Sequence, residues 1–265
     1  MKSRKTSKPE ALVRAMYRQL VRAWGRQHWW PAETPFEVIV GAILTPNTAW
    51  SNVEHALASL RSSGALNIAG IREVSLAKLQ ELVRSSGCYR QKAERLKNFV
   101  AFLDAKYHGS LEQMFTTATS QLRSELLAVK GIGSETADAI LLYAGNHEIF
   151  VVDAYTRRIL VRHEAIETQA KYDEIRDLAE RALRDEEPVA PTFDEAIDWQ
   201  RPQVHLESAM SQAKRGPRTQ IYNEMHGLMV QVGKNYCHKQ EPTCDACPLR
   251  TLLPKMRQRH GPQAW

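Results

Sequence analysis

A turn between two helical segments carries residue types that can hold an anion. Residues 128–138 read AVKGIGSETAD, between a leucine-rich segment and an alanine-rich one. Glycine permits a positive φ and lets the backbone approach a ligand closely, and the N–H groups at a helix start can bind phosphate. The turn therefore predicts an anion site, whose candidate residues are Lys130, Gly131, Gly133, Ser134 and Thr136. The carboxylate of Glu135 in the same turn would repel an anion and needs another explanation.

A second candidate is the aspartate at the start of a later predicted helix. Asp153 ends the apolar run EIFVVD and precedes the periodic segment DAYTRRILVRHEA. An aspartate in this position is typical of an N-cap, whose side chain accepts a backbone N–H of the first turn. The run before it is the one stretch with the pattern of a strand. Because it is short and solitary, it is better explained as a buried connector than as part of a sheet.

Tryptophans are concentrated in one segment. Trp29, Trp30 and Trp50 lie in the stretch HWWPAETPFEVIVGAILTPNTAW, and the chain has six tryptophans in all. Two interpretations are open, namely packing in the core and stacking on a ligand.

Three of the four cysteines are close together near the end of the sequence. Cys237, Cys244 and Cys247 have the spacing C-x6-C-x2-C, whereas Cys88 stands alone and is interpreted as a small apolar residue. Without a secretory context, thiols this close favour a metal site over disulfides.

Charge is unevenly distributed along the chain. The formal net charge is +6, and basic residues are concentrated in the first twenty-six residues and again from Arg250 to His260. Each cluster is either a solvated surface or a site for a polyanion, which is the usual use of such charge. No apolar run is long enough to span a membrane and the N-terminus lacks the pattern of a secretory signal, so we expect a cytoplasmic protein.

Helical periodicity dominates the sequence, as in ALVRAMYRQLVRAW and KAERLKNFVAFLDA. We therefore predict an all-α fold of many short helices. One stretch, at about 186–217, has little helical periodicity and contains four prolines and many charges. It is too long for an ordinary connection between helices. It is interpreted either as a surface insertion or as a lid over a ligand.

Taken in order, these motifs resemble those of the helix-hairpin-helix DNA glycosylase superfamily that includes endonuclease III. The resemblance rests on the hairpin, on VVDAYTRRI after it, on GCYRQKAERLK before it and on CHKQEPTCDACPL. It implies two helical domains flanking an active-site cleft. One is a helical barrel over 33–146 with the hairpin at about 120–145, and the other is formed by 1–32 and 147–265 with the cysteine loop at 237–253.

The resemblance also implies roles for the two acids. Asp153 would be the catalytic carboxylate, which suits a reaction that develops positive charge on a sugar. Family members that also cut the strand use a lysine amine as nucleophile, and Glu135 stands at the matching position. Glutamate cannot form a Schiff base, and Lys130 falls on the other side of the hairpin. A monofunctional glycosylase, which leaves the abasic site intact, is therefore expected.

The tryptophan segment resembles that of the endonuclease III-like subgroup that removes 3-methyladenine. There the matching residues sandwich a flipped base, so Trp29, Trp30, Pro31 and Trp50 would form the base pocket. A tryptophan face favours a cation, and an alkylated purine nucleoside is cationic. Asn47 would either insert into the duplex or cap a helix. Pro46 departs from the glutamine expected in this subgroup.

The cysteine loop resembles the family's ligand set for a [4Fe–4S] cluster, C-x6-C-x2-C-x5-C, but Leu253 stands where the fourth cysteine is expected. Three interpretations follow. A cluster could use a non-cysteine fourth ligand such as His238, zinc could bind three cysteines and His238, or the loop could hold no metal.

The expected function is that of a monofunctional DNA glycosylase in base excision repair. It would act on alkylated purines of the 3-methyladenine type in damaged double-stranded DNA, as a monomer associated with the nucleoid when bound to DNA. The alternatives are a non-catalytic protein that binds DNA structures, which would not need Asp153, and a glycosylase for uracil or a mismatched base.

Overall fold

A computed structural model describes residues 7–188 and 207–254, which form α-helices joined by turns and short connectors. The all-α prediction is confirmed, because these residues contain no β-strand. The helices are α1 Lys8–Trp24, α2 Pro35–Leu44, α3 Trp50–Ser62, α4 Ile68–Glu73, α5 Leu76–Leu82, α6 Tyr89–Tyr107, α7 Leu111–Phe115, α8 Thr119–Ala128, α9 Ser134–Ala139, α10 Ala154–Arg162, α11 Tyr172–Leu183, α12 Ala209–Gln212 and α13 Pro217–Asn235.

Polar residues at the helix starts explain why the periodic segments begin where they do. Ser7 accepts the backbone N–H of Glu10, whose carboxylate in turn accepts the Ser7 N–H, so α1 opens with a capping box. Thr34 caps α2 in front of Pro35, and Asn67 caps α4. These side chains satisfy N–H groups that have no partner within their own helix.

The chain divides into two compact units. The first comprises Met1–Trp29, Glu148–Glu207 and Lys214–Trp265, and the second comprises Trp30–His147 and Ser208–Ala213. The boundaries predicted from the sequence, at 33 and 146, lie near these limits. The cleft between two domains stays a prediction.

A buried lysine anchors the interior of the second unit. From Phe36 to Leu44 every residue of α2 is buried. The Lys92 ammonium group on α6 donates to the Leu44 carbonyl at 2.7 Å and to the Ser86 carbonyl at 2.5 Å. Burial lowers the pKa of Lys92. One side chain thus satisfies two carbonyls, one at the end of α2 and one in the turn before α6. In this way it fixes the loop that leads to α3.

In the first unit, part of the N-terminal basic cluster is used internally. Arg14 and Arg18 lie 3.3 and 2.8 Å from the Glu186 carboxylate, and Arg26 lies 3.3 Å from that of Glu224. These three arginines, two on α1 and one just after it, are therefore paired within the first unit rather than offering unpaired charge to a polyanion. The basic residues at 1–6 and from 255 onward lie outside the described residues.

The prediction that 148–153 is a buried connector rather than a strand is confirmed. Ile149 to Val152 are buried. Because buried N–H groups need partners, side chains supply them. The Phe150 N–H donates to Glu180 at 2.9 Å, and the Val152 N–H donates to the Tyr172 hydroxyl at 3.2 Å.

Most of the stretch predicted as an insertion lies outside the described residues, namely 189–206. The part from 207 onward contains α12, whose Met210 N–H donates to the Ala32 carbonyl at 3.0 Å. The Ala32 N–H donates to the Ser208 hydroxyl at 3.1 Å. The end of this stretch is therefore bonded to the segment that follows Trp30. No helix in the described ranges is both long and apolar enough to cross a membrane.

Replacing Lys92 by methionine is expected to destabilise the protein by about 2 kcal/mol or more, because two buried carbonyls lose a charged donor. Urea denaturation followed by circular dichroism measures the change. Lys78→Met is the matched control, since Lys78 is exposed on α5 and pairs only with Glu81. Its effect should stay within about 0.5 kcal/mol. Equal losses in the two variants would contradict the anchoring role.

Candidate active site and helical hairpin

The hairpin predicted at 128–138 connects α8 to α9, and its two glycines serve different purposes. Gly131 has φ +93°, and a Cβ there would lie 2.5 Å from Cγ of Arg95. This glycine is required by the fold itself. Gly133 precedes α9 with φ −98°, and no atom lies within 4 Å of the position a Cβ would take. The fold does not require a glycine there, and the open space leaves room for an approaching ligand.

The side chains of the turn are arranged for contact with solvent or a ligand. Lys130 and Glu135 are exposed and Ser134 is half-buried, whereas the Thr136 side chain is buried. No side-chain cap closes the start of α9 at Gly133. Of the predicted backbone-binding residues, Thr136 can therefore contribute its backbone but not an exposed hydroxyl.

A buried ion pair holds the two helices of the hairpin together. Arg123 on α8 donates to Asp138 on α9 at 2.7 and 3.3 Å, and the Asp138 side chain is fully buried. The sequence analysis missed this pair. The sequence nevertheless indicated such a pair. An acid among alanines and leucines at a helix centre, such as Asp138, needs a cation when it is buried.

Beyond α9 the helix continues as a π-helical segment, Ile140–Ala144, whose residues are all buried. Its Tyr143 ring lies 5.2 Å from that of Trp30, centroid to centroid, and Trp30 lies 5.2 Å from Trp50 in an edge-to-face arrangement. The ring of Trp30 packs on Gly41, where a Cβ would lie 3.1 Å from it. Tyr143 is a member of this aromatic cluster that the sequence analysis did not single out.

The predicted pocket residues lie in different units of the chain. Trp30 is buried and Trp50 and Pro31 are half-buried in the second unit. Because the Trp30 and Trp50 rings touch edge to face, a base can lie between them only if one ring turns. Trp29 belongs to the first unit, where it packs on Gly227 of α13 and Lys234 lies 5.8 Å over its ring. The base pocket stays a prediction.

Asn47 lies in the turn between α2 and α3, exposed and with φ +60°. Asparagine tolerates this left-handed conformation better than most residues. Asn47 is not the N-cap of α3, because Ala49 occupies that position. Insertion into a duplex stays a prediction, and an exposed turn is compatible with it.

In the first unit, Glu224 fixes the segment that ends at Trp29. Its carboxylate lies 3.3 Å from Arg26, accepts the Gln27 backbone N–H at 2.8 Å and accepts the Gln220 amide at 2.6 Å. Burial, aided by the charge of this carboxylate, raises the pKa of Tyr17. A buried acid with three donors holds its chain segment firmly.

Asp153 is the N-cap of α10, as predicted. Its Oδ1 accepts the Thr156 N–H at 2.7 Å, and its side chain is 12% exposed. The other oxygen, Oδ2, lies 3.8 Å from Nε2 of His226 on α13. Burial lowers the pKa of His226, and the Asp153 charge opposes that shift. The sequence analysis missed His226, which is seventy-three positions away along the chain (226 − 153).

Two arginines on α10 hold the cysteine loop. Arg158 donates to the Cys237 carbonyl at 2.7 Å, while Arg162 donates to the Cys237 sulfur at 3.1 Å and to the His238 carbonyl at 2.6 Å. The helix that begins at Asp153 therefore ends in a network that fixes residues 237–239.

The donor set around this loop does not fit a four-ligand metal site. Cys237, Cys244 and Cys247 line one cavity, and Leu253 lines it too. His238, which is within the described residues, does not line this cavity. Burial raises the pKa of Cys247 to about 12. In the described ranges, no group of three or more potential ligands is arranged to hold a metal ion.

Gly131→Ala is expected to lower the free energy of unfolding by about 1–2 kcal/mol, because alanine is strained at this φ. Gly133→Ala is the matched control and should change stability by less than about 0.5 kcal/mol, because its φ is negative and the space around it is open. Thermal or urea unfolding measures both changes. A destabilisation by Gly133→Ala as large as that by Gly131→Ala would show that the two glycines do not differ in this way.

Known proteins are similar to this chain in sequence and in fold. The profile of the HhH-GPD superfamily of base excision DNA repair proteins matches residues 40–185. The Methanocaldococcus jannaschii protein named "Putative DNA repair glycosylase MJ1434" is 40% identical over 241 residues, which cover 90% of this chain and 94% of that protein.

Two solved structures are similar in fold. The H. pylori 3-methyladenine DNA glycosylase (MagIII) bound to 1,N6-ethenoadenine has a TM-score of 0.65 and 27% identity, covering 86% of this chain and 98% of that one. A trapped endonuclease III–DNA covalent intermediate has a TM-score of 0.69 and 19% identity, covering 94% of this chain and 98% of that one. The chain thus belongs to the HhH-GPD superfamily of base excision DNA repair proteins, as a DNA glycosylase.

Proposed function

We propose that this DNA glycosylase is monofunctional and removes alkylated purines of the 3-methyladenine type from double-stranded DNA. The observation that carries the proposal is the geometry of Asp153, a carboxylate fixed by the backbone of α10 and largely shielded from solvent. Such a group suits a reaction that develops positive charge on the sugar.

The proposed reaction is a hydrolysis at C1′ of the deoxyribose. The bond between C1′ and the base nitrogen breaks, and its electron pair leaves with the base. The oxygen of a water molecule bonds to C1′, and the water proton passes to Asp153 and then to solvent. A purine alkylated at N3 is already cationic, so the departing electron pair neutralises it and no acid is needed. One fixed carboxylate is therefore enough for this substrate class.

The aromatic cluster favours the same substrate class. The half-buried ring of Trp50 opens α3 and is braced by Trp30, which Tyr143 contacts in turn. A tryptophan face stabilises a cation by about 0.5–2 kcal/mol, depending on how far water is excluded. A flipped alkylated purine would gain this energy and an unmodified purine would not. The similarity to the H. pylori 3-methyladenine DNA glycosylase supports this assignment.

Glu135 supports the monofunctional reaction. It is exposed at the start of α9, in the position where the family resemblance places the lysine nucleophile of lyases. A carboxylate cannot form the Schiff base on which strand cleavage depends. We further propose that the turn beside it contacts the DNA backbone through Gly133 and the first N–H groups of α9, with Lys130 adding charge.

The proposal is tested on duplexes that each carry one lesion: 3-methyladenine introduced by methylation, 1,N6-ethenoadenine, uracil opposite guanine, or thymine opposite guanine. We expect release of 3-methyladenine, with strand breaks only after alkali. Breaks without alkali, or a borohydride-trapped complex on an abasic duplex, would contradict the assignment of Glu135. Activity confined to uracil or thymine would contradict the substrate class. Tight binding without any base release would favour the non-catalytic alternative.

Asp153→Asn separates the catalytic role of this residue from its structural role. Asparagine caps a helix as well as aspartate does, so stability should change little, while the single-turnover excision rate should fall on the order of 10²-fold or more. Asp153→Ala should lose the same activity and also about 1 kcal/mol of stability. Rapid-quench excision assays and thermal unfolding measure the two effects. Full activity of the asparagine variant would remove Asp153 from the mechanism.

A further inference from the structure

The two oxygens of Asp153 have different partners within the first unit. Oδ1 is held by the backbone N–H of Thr156, so the start of α10 fixes it. Oδ2 faces Nε2 of His226 across 3.8 Å. This distance exceeds that of a direct hydrogen bond. Contacts between catalytic groups are often long without substrate and shorten in the reactive complex, and a water molecule can also bridge such a gap.

The surroundings of His226 make an imidazole in this place costly. Every residue of α13 from Ile221 to Gly233 is buried, and the His226 side chain is 6% exposed. A polar ring in such an environment loses its hydration without gaining the apolar contacts that leucine would make. The ring nitrogen Nε2 nevertheless lies near the Asp153 carboxylate. An interaction between the two can compensate for the lost hydration.

The charge state of His226 also suits a role beside a catalytic carboxylate. Burial lowers the pKa of His226, so its ring is neutral at neutral pH despite the opposing influence of Asp153. A lysine or arginine here would form an ion pair with Asp153 and weaken its attraction for a developing cation. A neutral imidazole can instead donate one N–H and orient the carboxylate while leaving its charge available.

We propose that His226 is a positioning residue for the glycosylase reaction. Its neutral ring donates from Nε2 to Oδ2 of Asp153 and holds the carboxylate in the orientation that faces the sugar and the attacking water. This inference rests on the proposed catalytic role of Asp153. It adds a second point of attachment to the helix cap and so restricts rotation of the carboxyl group.

The experiment compares His226→Leu, which keeps the volume but donates nothing, with His226→Gln, whose side-chain amide can donate from a similar position. On the lesion that the wild-type protein excises best, His226→Leu should lower the single-turnover rate on the order of 10–10²-fold, the range expected for a misplaced catalytic group. His226→Gln should recover most of that loss. The affinity for a duplex carrying a stable abasic analogue should change less than about threefold in either variant, because binding does not use Oδ2.

A double-mutant cycle separates positioning from general stability. In an Asp153→Asn background, His226→Leu should have almost no further effect on the rate, since the group that it positions has already been replaced. An equal fold-loss in both backgrounds, or a wild-type rate for His226→Leu, would overturn the inference and leave the proposed function standing.

If His226→Leu does not fold, His226→Asn takes its place, because its shorter amide cannot reach Oδ2. A rate of His226→Asn equal to that of His226→Gln would then overturn the inference.

Wild-type protein that releases no base from any duplex would instead overturn the proposed function, and the positioning role with it. Thermal unfolding of every variant accompanies the rate measurements, so that a loss of rate is interpreted only for protein that is folded at the assay temperature.

Discussion

The hydrogen bond between the Thr156 N–H and the Asp153 carboxylate is the constraint on which the candidate active site depends. It exists because a buried extended connector delivers the aspartate to the first turn of α10. The connector can be buried only because Glu180 and Tyr172 satisfy its N–H groups. At the other end of α10, Arg158 and Arg162 bind the cysteine loop. One helix therefore carries both the candidate catalytic carboxylate and the contacts that fix its direction.

Buried polar groups hold chain segments in each of the two units. Lys92 fixes the end of α2, Asp138 fixes the hairpin and Glu224 fixes the chain before Trp29. Each contributes several hydrogen bonds to its surroundings, and each would be costly if left without partners. Such groups confer position as well as stability, which a catalytic site needs because its chemistry depends on fractions of an ångström.

The cationic residues divide into those used by the fold and those available to DNA. Arg14, Arg18 and Arg26 are paired with acids inside the first unit. Lys130, by contrast, is exposed beside the hairpin. The net positive charge of the chain is thus a poor guide to where DNA binds, because ion pairs formed on folding neutralise some of its charges.

The sequence by itself determined what depends on neighbouring residues: the helices, the hairpin glycines, the cap at Asp153 and the family motifs around them. Helical period and capping act over a few positions, so a single sequence reveals them. Tertiary structure alone decided that His226 faces Asp153, that Tyr143 joins Trp30, and that Ala49 rather than Asn47 is the N-cap of α3. Those contacts join residues far apart in the chain, or depend on a backbone conformation fixed by packing, and no local pattern encodes them.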